Sequence, residues 1–184
     1  MSLYAGPTIA VARRLLGAVL VHTTEEGRVA GRIVETEAFL AADDGASHSR
    51  MGPTDRNRSM FLAAGRAYVY RIYGVHHCFN VVTGARGKGE AVLVRALEPL
   101  EGLELMAARR GRERLRDLCS GPGKLVQAMG IEPAQDGVLL EGALSITPRE
   151  RRPGPIAVGP RIGITRSPEA PLRFVVARSP WCSR

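Results

Sequence analysis

The stretch Arg32-Ile-Val-Glu-Thr-Glu-Ala-Phe39 reads as a strand, and the fold is read outward from it. Period two places Ile33, Glu35, Glu37 and Phe39 on one face and Arg32, Val34, Thr36 and Ala38 on the other. The glutamates then stand roughly 7 Å apart at Cβ, near enough for each to oppose the other's ionisation. Pairing with nearby arginines accounts for Glu35. Glu37, beside the strand's end and an aromatic, is the better candidate for a site at the sheet's edge. Gly31, just upstream, marks a bulge or a close backbone approach.

Before this strand, Gly6-Pro7-Thr8 reads as a helix start with Thr8 as N-cap, followed by an apolar face and ended by Gly17. Residues 18–22 are expected as a strand, joined through Glu25-Glu26-Gly27 to the central one. After it, residues 40–65 lose periodicity and read as a long loop with about one turn of helix, a length that usually marks function or mobility. His48 lies there, and a loop histidine alone is more often solvated than catalytic. Residues 67–73 and 77–82 form a hairpin around Gly74, with Tyr68, Tyr70 and Ile72 on one face. Core packing accounts for Tyr68, whereas Tyr73 at the tip is hard to bury and invites a stacking role.

Residues 90–97 read as a strand carrying Arg95, and Glu98-Pro99 as the opening of a helix to Arg110. The run from Arg109 to Arg116 is either a solvated helix end or a phosphate contact. Cys119-Ser-Gly-Pro-Gly-Lys-Leu125 resembles an anion-holding turn into a helix over 124–129, but its glycine spacing is not that of a P-loop. Short strands are expected at 138–140, 144–146, 161–165 and 172–176. With no repeat and no clear linker, residues 1–184 read as one domain.

Composition narrows the function classes. Hydrophobic residues at 45% and charged ones at 24% describe an ordinary globular chain, with no signal peptide and no membrane-spanning run. A net charge of +8 raises the prior for a polyanionic partner. The positive charge is almost all arginine, Lys88 and Lys124 being the lysines. Phosphate recognition and a GC-rich genome explain that bias equally well. Three cysteines, odd in number and widely spaced, argue for a reducing cytoplasm without disulfides. His76-His77-Cys78 places neighbours on opposite strand faces with no second cluster to complete a site, so no metal and no cofactor are expected.

In order and at fitting separations, the motifs resemble the alkyladenine, or 3-methyladenine, DNA glycosylases over nearly the whole chain. The resemblance is carried by Gly31-Arg-Ile-Val-Glu-Thr-Glu-Ala-Phe39, His48-Ser-Arg50, Arg56-Asn-Arg58, Tyr68-Val-Tyr70, Ile72-Tyr-Gly74, Leu93-Val-Arg-Ala-Leu-Glu-Pro-Leu-Glu-Gly102, Cys119-Ser-Gly-Pro122, Pro171-Leu-Arg-Phe174 and Ser179-Pro-Trp181. It implies a mixed α/β (α+β) domain around a curved antiparallel sheet flanked by helices, with a protruding hairpin. It implies Glu37 as the base that deprotonates the attacking water, with Arg95 near that acid and the nucleotide backbone. Phe39, His48 and Tyr70 become the walls that sandwich a flipped base. Asn80 becomes the residue that rejects guanine's exocyclic amine, and Ile162 the main-chain amide that reads the base. Tyr73 becomes the wedge that fills the vacated stack. The implied partner is duplex DNA bearing damaged purines, met by a monomer in a bacterial cytoplasm. The early start of the catalytic region points to a bacterial protein without a regulatory tail. Phe39 stands where some relatives have tyrosine, which keeps the stacking face but loses a hydroxyl.

The chemistry fits these residue types. Breaking an N-glycosidic bond builds positive charge on the sugar, which a carboxylate stabilises while activating water. An alkylated, cationic base stacks well on electron-rich rings. Neither lysine neighbours Glu37 in sequence, so a water-using, monofunctional enzyme is expected rather than a Schiff-base lyase. Two other readings compete. A non-catalytic nucleic-acid-binding module would use the same basic, tyrosine-bearing surface. A small-molecule glycoside hydrolase would use Glu35 and Glu37 as an acid pair about 5 to 9 Å apart.

Overall fold

A computed structural model describes residues 2–41, 44–72, 74, 76–166 and 168–183. In chain order these form α1 (Thr8–Leu15), β1 (Val19–Thr24), β2 (Gly27–Phe39), β3 (Ala67–Ile72), β4 (His76–Thr83) and β5 (Glu90–Glu101). There follow α2 (Leu103–Arg110), α3 (Pro122–Met129), β6 (Leu144–Thr147), β7 (Ile156–Gly159) and β8 (Arg173–Val176). The strands make one curled antiparallel half-barrel in the order β3-β4-β5-β2-β1-β6, with β8 also on β2 and β7 on β8. Together with the three helices this is the α+β class expected from the sequence.

β2 organises the sheet because it changes partner midway. One edge pairs with β5 from Ala30 to Phe39, while the other gives Gly27–Arg32 to β1 and Glu35–Glu37 to β8. Register slips flank Glu35, and such bulges bend a strand and turn its side chains. A further slip falls at Ala30/Gly31, where an added Cβ would lie 2.9 Å from Leu97 Cβ. Gly31 is therefore both the bulge and the close approach.

The helices pack against the sheet. Val11 and Leu15 of α1, Met106 of α2, and Leu125 and Met129 of α3 are fully buried against Leu20, Ile33, Val94, Leu97 and Phe174. Each such leucine contributes about 1.5–3 kcal/mol relative to exposure. A smaller cluster of Met60, Tyr68, Val82 and Ala91 underlies the end of β2 and carries Phe39, Phe61 and Tyr70 at its margin.

Several local expectations are corrected. No helix opens at Pro99, because β5 runs on to Glu101 and α2 begins at Leu103. Pro99 sits opposite Gly31 at the register slip, where a missing N–H is tolerated. The extension is tied by Arg32–Glu98 and Arg28–Glu101 ion pairs. Gly102, at φ +71, then makes the corner, where a Cβ would meet Arg28 O at 2.5 Å. Residues 161–165 form no strand, since Pro160 ends β7 and Gly163 has φ +73. Thr8 is not the N-cap: Pro7 holds that position, and the Thr8 hydroxyl bonds to Thr83 and Glu90. The long loop holds two 3-10 turns, His48–Met51 and Arg58–Phe61, instead of one turn of helix. Residues 138–140 make only an isolated bridge, between Leu139 and Arg66.

Candidate active site

The bulge at Glu35 decides what the two glutamates do. Glu35 is fully buried and bonded on both oxygens. Its Oε1 accepts from Arg173 Nε at 2.7 Å, Ser183 Oγ at 2.8 Å and Arg95 Nε at 3.1 Å. Its Oε2 accepts from the Ser183 amide at 2.6 Å. A carboxylate removed from water needs this many donors, and with both oxygens occupied it is not half of an acid pair. Glu35 is structural, as its arginine-rich surroundings imply, and the glycoside-hydrolase reading falls with it.

Glu37 is 1% exposed but sparsely bonded. Its Oε1 accepts the Ile162 N–H at 2.8 Å and faces Arg95 Nη1 at 3.3 Å. Among the described residues no hydrogen bond falls on Oε2. Burial pushes the Glu37 pKa up, Arg95 and the Ile162 amide pull against it, Glu35 adds to the rise, and Arg161 opposes it. The result is a carboxyl above the ordinary carboxylate range. Arg95, 7% exposed on β5, bridges the two glutamates through Nε and Nη1.

Beside Glu37, a slot of about 20 Å³ is lined by Phe39, Ala46, His48, Met60, Tyr68, Tyr70 and Asn80. That is room for about one water. His48 and Tyr70 meet edge to face with centroids 4.5 Å apart, and Tyr70 lies 5.3 Å from Tyr68. The His48 Nδ1 and the Tyr68 hydroxyl are 3.0 Å apart. Burial, with Arg56 nearby, holds the His48 pKa below the usual histidine value. Burial likewise keeps the Tyr68 and Tyr70 phenols protonated. Asn80, paired across the strands with Tyr68, gives its Nδ2–H to the Tyr68 carbonyl at 3.1 Å.

Glu37, Arg95, Phe39, His48, Tyr70 and Asn80, spread over residues 37–95, thus converge at one end of the sheet. Ile162 arrives too, but with its N–H on the Glu37 carboxylate rather than in the slot. Tyr73 lies outside the described residues. Sequence reasoning missed Arg173 and Ser183, which complete the Glu35 network, and the buried pair Asp44–Arg161. Only an acid in the loop and an arginine before Ile162 could have signalled that pair, and neither position is distinctive among so many charges.

Two other expectations are settled by packing. Arg109 bonds Glu26, Thr24 Oγ1 and the Ala128 carbonyl, and Arg110 bonds Leu118 O and Gln127, so these two are internal ties and not phosphate contacts. A wider cleft of about 980 Å³, between the β1–β2 turn, α3 and His76-His77, lies away from Glu37. Among the described residues no group of three His, Cys, Asp or Glu is placed to hold a metal, and no helix is long and apolar enough to cross a membrane.

The chain is similar to known proteins over nearly all of its length. The family model for methylpurine-DNA glycosylase matches residues 2–180. A Methanoculleus marisnigri protein named "Putative 3-methyladenine DNA glycosylase" is 53% identical over 186 residues, spanning 98% of this chain and 96% of its own. Proteins of the same name from Granulibacter bethesdensis and Chlorobaculum tepidum are 50% and 46% identical, across 96% and 98% of this chain and 83% and 88% of theirs. The class defined is therefore an enzyme, a DNA glycosylase that hydrolyses N-glycosyl bonds. Within that class, the chain belongs to the methylpurine-DNA glycosylase family.

Proposed function

We propose that this protein excises alkylated purines such as 3-methyladenine, and deaminated or etheno-bridged ones such as hypoxanthine and ethenoadenine, from duplex DNA. The damaged nucleotide is turned out of the stack, at a cost of a few kcal/mol that is least for damaged pairs. Its base enters the slot, which opens to receive it among the rings of Phe39, His48 and Tyr70. Asn80 tests the base edge, and Tyr73 fills the gap left in the duplex.

The observation that carries this reading is the asymmetry of Glu37. One oxygen is held by Ile162 and Arg95, the other has no hydrogen bond among the described residues, and the carboxyl lies near Tyr70 of the aromatic slot. Oε2 takes the proton of the attacking water, and the carboxylate's charge stabilises the oxocarbenium-like sugar. Arg95 fixes the orientation of Glu37 and limits the rise in its pKa. A neutral His48 stacks on, or hydrogen-bonds to, the base without adding a charge that would repel a cationic lesion. The Ile162 amide acts through Glu37 in this arrangement, not as a reader of the base. The product is an abasic site left by water, since no lysine contacts Glu37 among the described residues.

Single-turnover assays on duplexes carrying 3-methyladenine, hypoxanthine or ethenoadenine test this. Free base and an intact abasic strand are expected, with no covalent adduct on borohydride treatment. A trapped adduct overturns the water mechanism, and DNA binding without release from any lesion favours a binding module instead.

A further inference from the structure

The segment after β7 places an amide on Glu37, yet no sheet holds it there. Among the described residues no backbone–backbone hydrogen bond falls on residues 160–166, and Gly163 has φ +73. What fixes the segment is the Arg161 side chain, which reaches inward and has no exposed surface. Its Nη1 donates to Asp44 Oδ2 at 2.6 Å and to the Ala38 carbonyl at 3.0 Å, and its Nη2 donates to Asp44 Oδ1 at 2.7 Å. Its guanidinium lies 4.7 Å from the centre of the Phe39 ring. Its Nε–H is buried without a partner among the described residues.

Asp44 extends the same tie. Its carboxylate also accepts the Leu40 and Ala46 amides, at 3.0 and 3.1 Å, fixing the start of the loop that leads to His48. One buried ion pair thus joins the His48 loop, the end of β2 with Phe39, and the Ile162 segment. A fully desolvated pair with an orphaned donor is poor value as stabilisation alone, since apolar replacements often do as well.

We propose that Arg161 is a positioning residue for catalysis, its fork on Asp44 and Ala38 holding the Ile162 amide against Glu37 Oε1 so that Oε2 is presented to water. This rests on the reading of Glu37 as the catalytic carboxylate. The groups facing Glu37 are Glu35 on its own strand, Cys78 and Tyr70 from β4 and β3, Arg95 from β5, and Arg161. Arg173 of β8 is turned to Glu35. Losing Arg161 removes a positive charge and frees the amide, and both changes favour the protonated carboxyl.

The test compares wild type, Arg161→Gln, Arg161→Lys, Asp44→Asn and Glu37→Gln in single-turnover base release across pH, with lesion-duplex affinity measured alongside. The maximal rate is expected to fall about 100-fold in both Arg161 variants, as for a catalytic group misplaced by about an ångström, with affinity changed only a few-fold. In Arg161→Gln the acid limb moves to higher pH, whereas simple destabilisation lowers the rate at all pH values without moving the limb. Lysine keeps the charge but cannot fork, so a wild-type profile in Arg161→Lys overturns the proposal, as does an unmoved limb in folded Arg161→Gln. Should both Arg161 variants fail to fold, Asp44→Asn decides, and a wild-type maximal rate there overturns it. If Glu37→Gln releases base like wild type, the catalytic reading itself fails. If Glu37→Gln is inactive and the Arg161 variants are normal, the clamp alone is wrong.

Discussion

The Ile162 N–H points at Glu37 Oε1 from 2.8 Å, across 125 residues of chain, and among the described residues Oε2 is left without a hydrogen bond. Two residues upstream on the same strand, Glu35 has no open oxygen. The two acids share Arg95, but Arg173 and Ser183 reach only Glu35, which sits at the register slip.

A pH dependence follows from the burial of Glu37. The proposed mechanism needs the carboxylate, and desolvation raises its pKa against the pull of Arg95. Base release is therefore expected to be low at acid pH and to rise to a plateau, with its midpoint above the usual value of about 4.3 for a glutamate. The single-turnover rate from pH 4 to 8 checks this, and a midpoint at or below the usual value contradicts it.

His48 is expected to titrate below about 6.5, because burial disfavours its cation and Arg56 adds to the effect. The sign for stability is fixed by that direction. The folded state resists protonation, so His48 contributes nothing adverse above the usual value and costs stability as pH falls below it. NMR titration of the imidazole resonances measures the shift directly.

Replacing Glu35 by alanine should harm folding more than chemistry. Arg95 would be left buried with fewer acceptors, and a broken buried pair costs about 3–5 kcal/mol. Thermal melting of Glu35→Ala against Glu37→Gln checks the division of labour: the first is expected to lose many degrees and the second far less.

Gly31→Ala probes the centre of the sheet. Its Cβ would lie 2.9 Å from Leu97 Cβ, so β2 or β5 must shift. Overpacking of this kind costs about 1–3 kcal/mol. Urea denaturation should show that loss as a lowered midpoint.

Much of this was legible in the sequence, for physical reasons. The alternation from Arg32 to Phe39, the tyrosines at 68 and 70, and the hairpin loop at Glu25-Glu26-Gly27 are local signals, and local geometry answers to them, with Gly27 itself pairing to Thr24. The extension of β5 through Pro99 was not legible, because a proline after an acid reads as a helix start unless its partner strand is known to bulge. The Asp44–Arg161 pair was equally hidden, its two members lying 117 positions apart and joined only by the folded sheet. Ile162 was placed by resemblance at the site, but the group it touches is Glu37 and not the slot. Tertiary contacts, not propensity, decide such positions.

Glu37→Gln most directly tests the claim that one open carboxylate oxygen drives the reaction. It preserves shape and keeps an acceptor for the Ile162 amide while removing the base. Single-turnover release from a 3-methyladenine duplex, measured with the duplex affinity, should fall by at least about 100-fold while binding stays within a few-fold of wild type. Release at the wild-type rate with binding intact would contradict the account, and the catalytic group would then have to be sought elsewhere than Glu37.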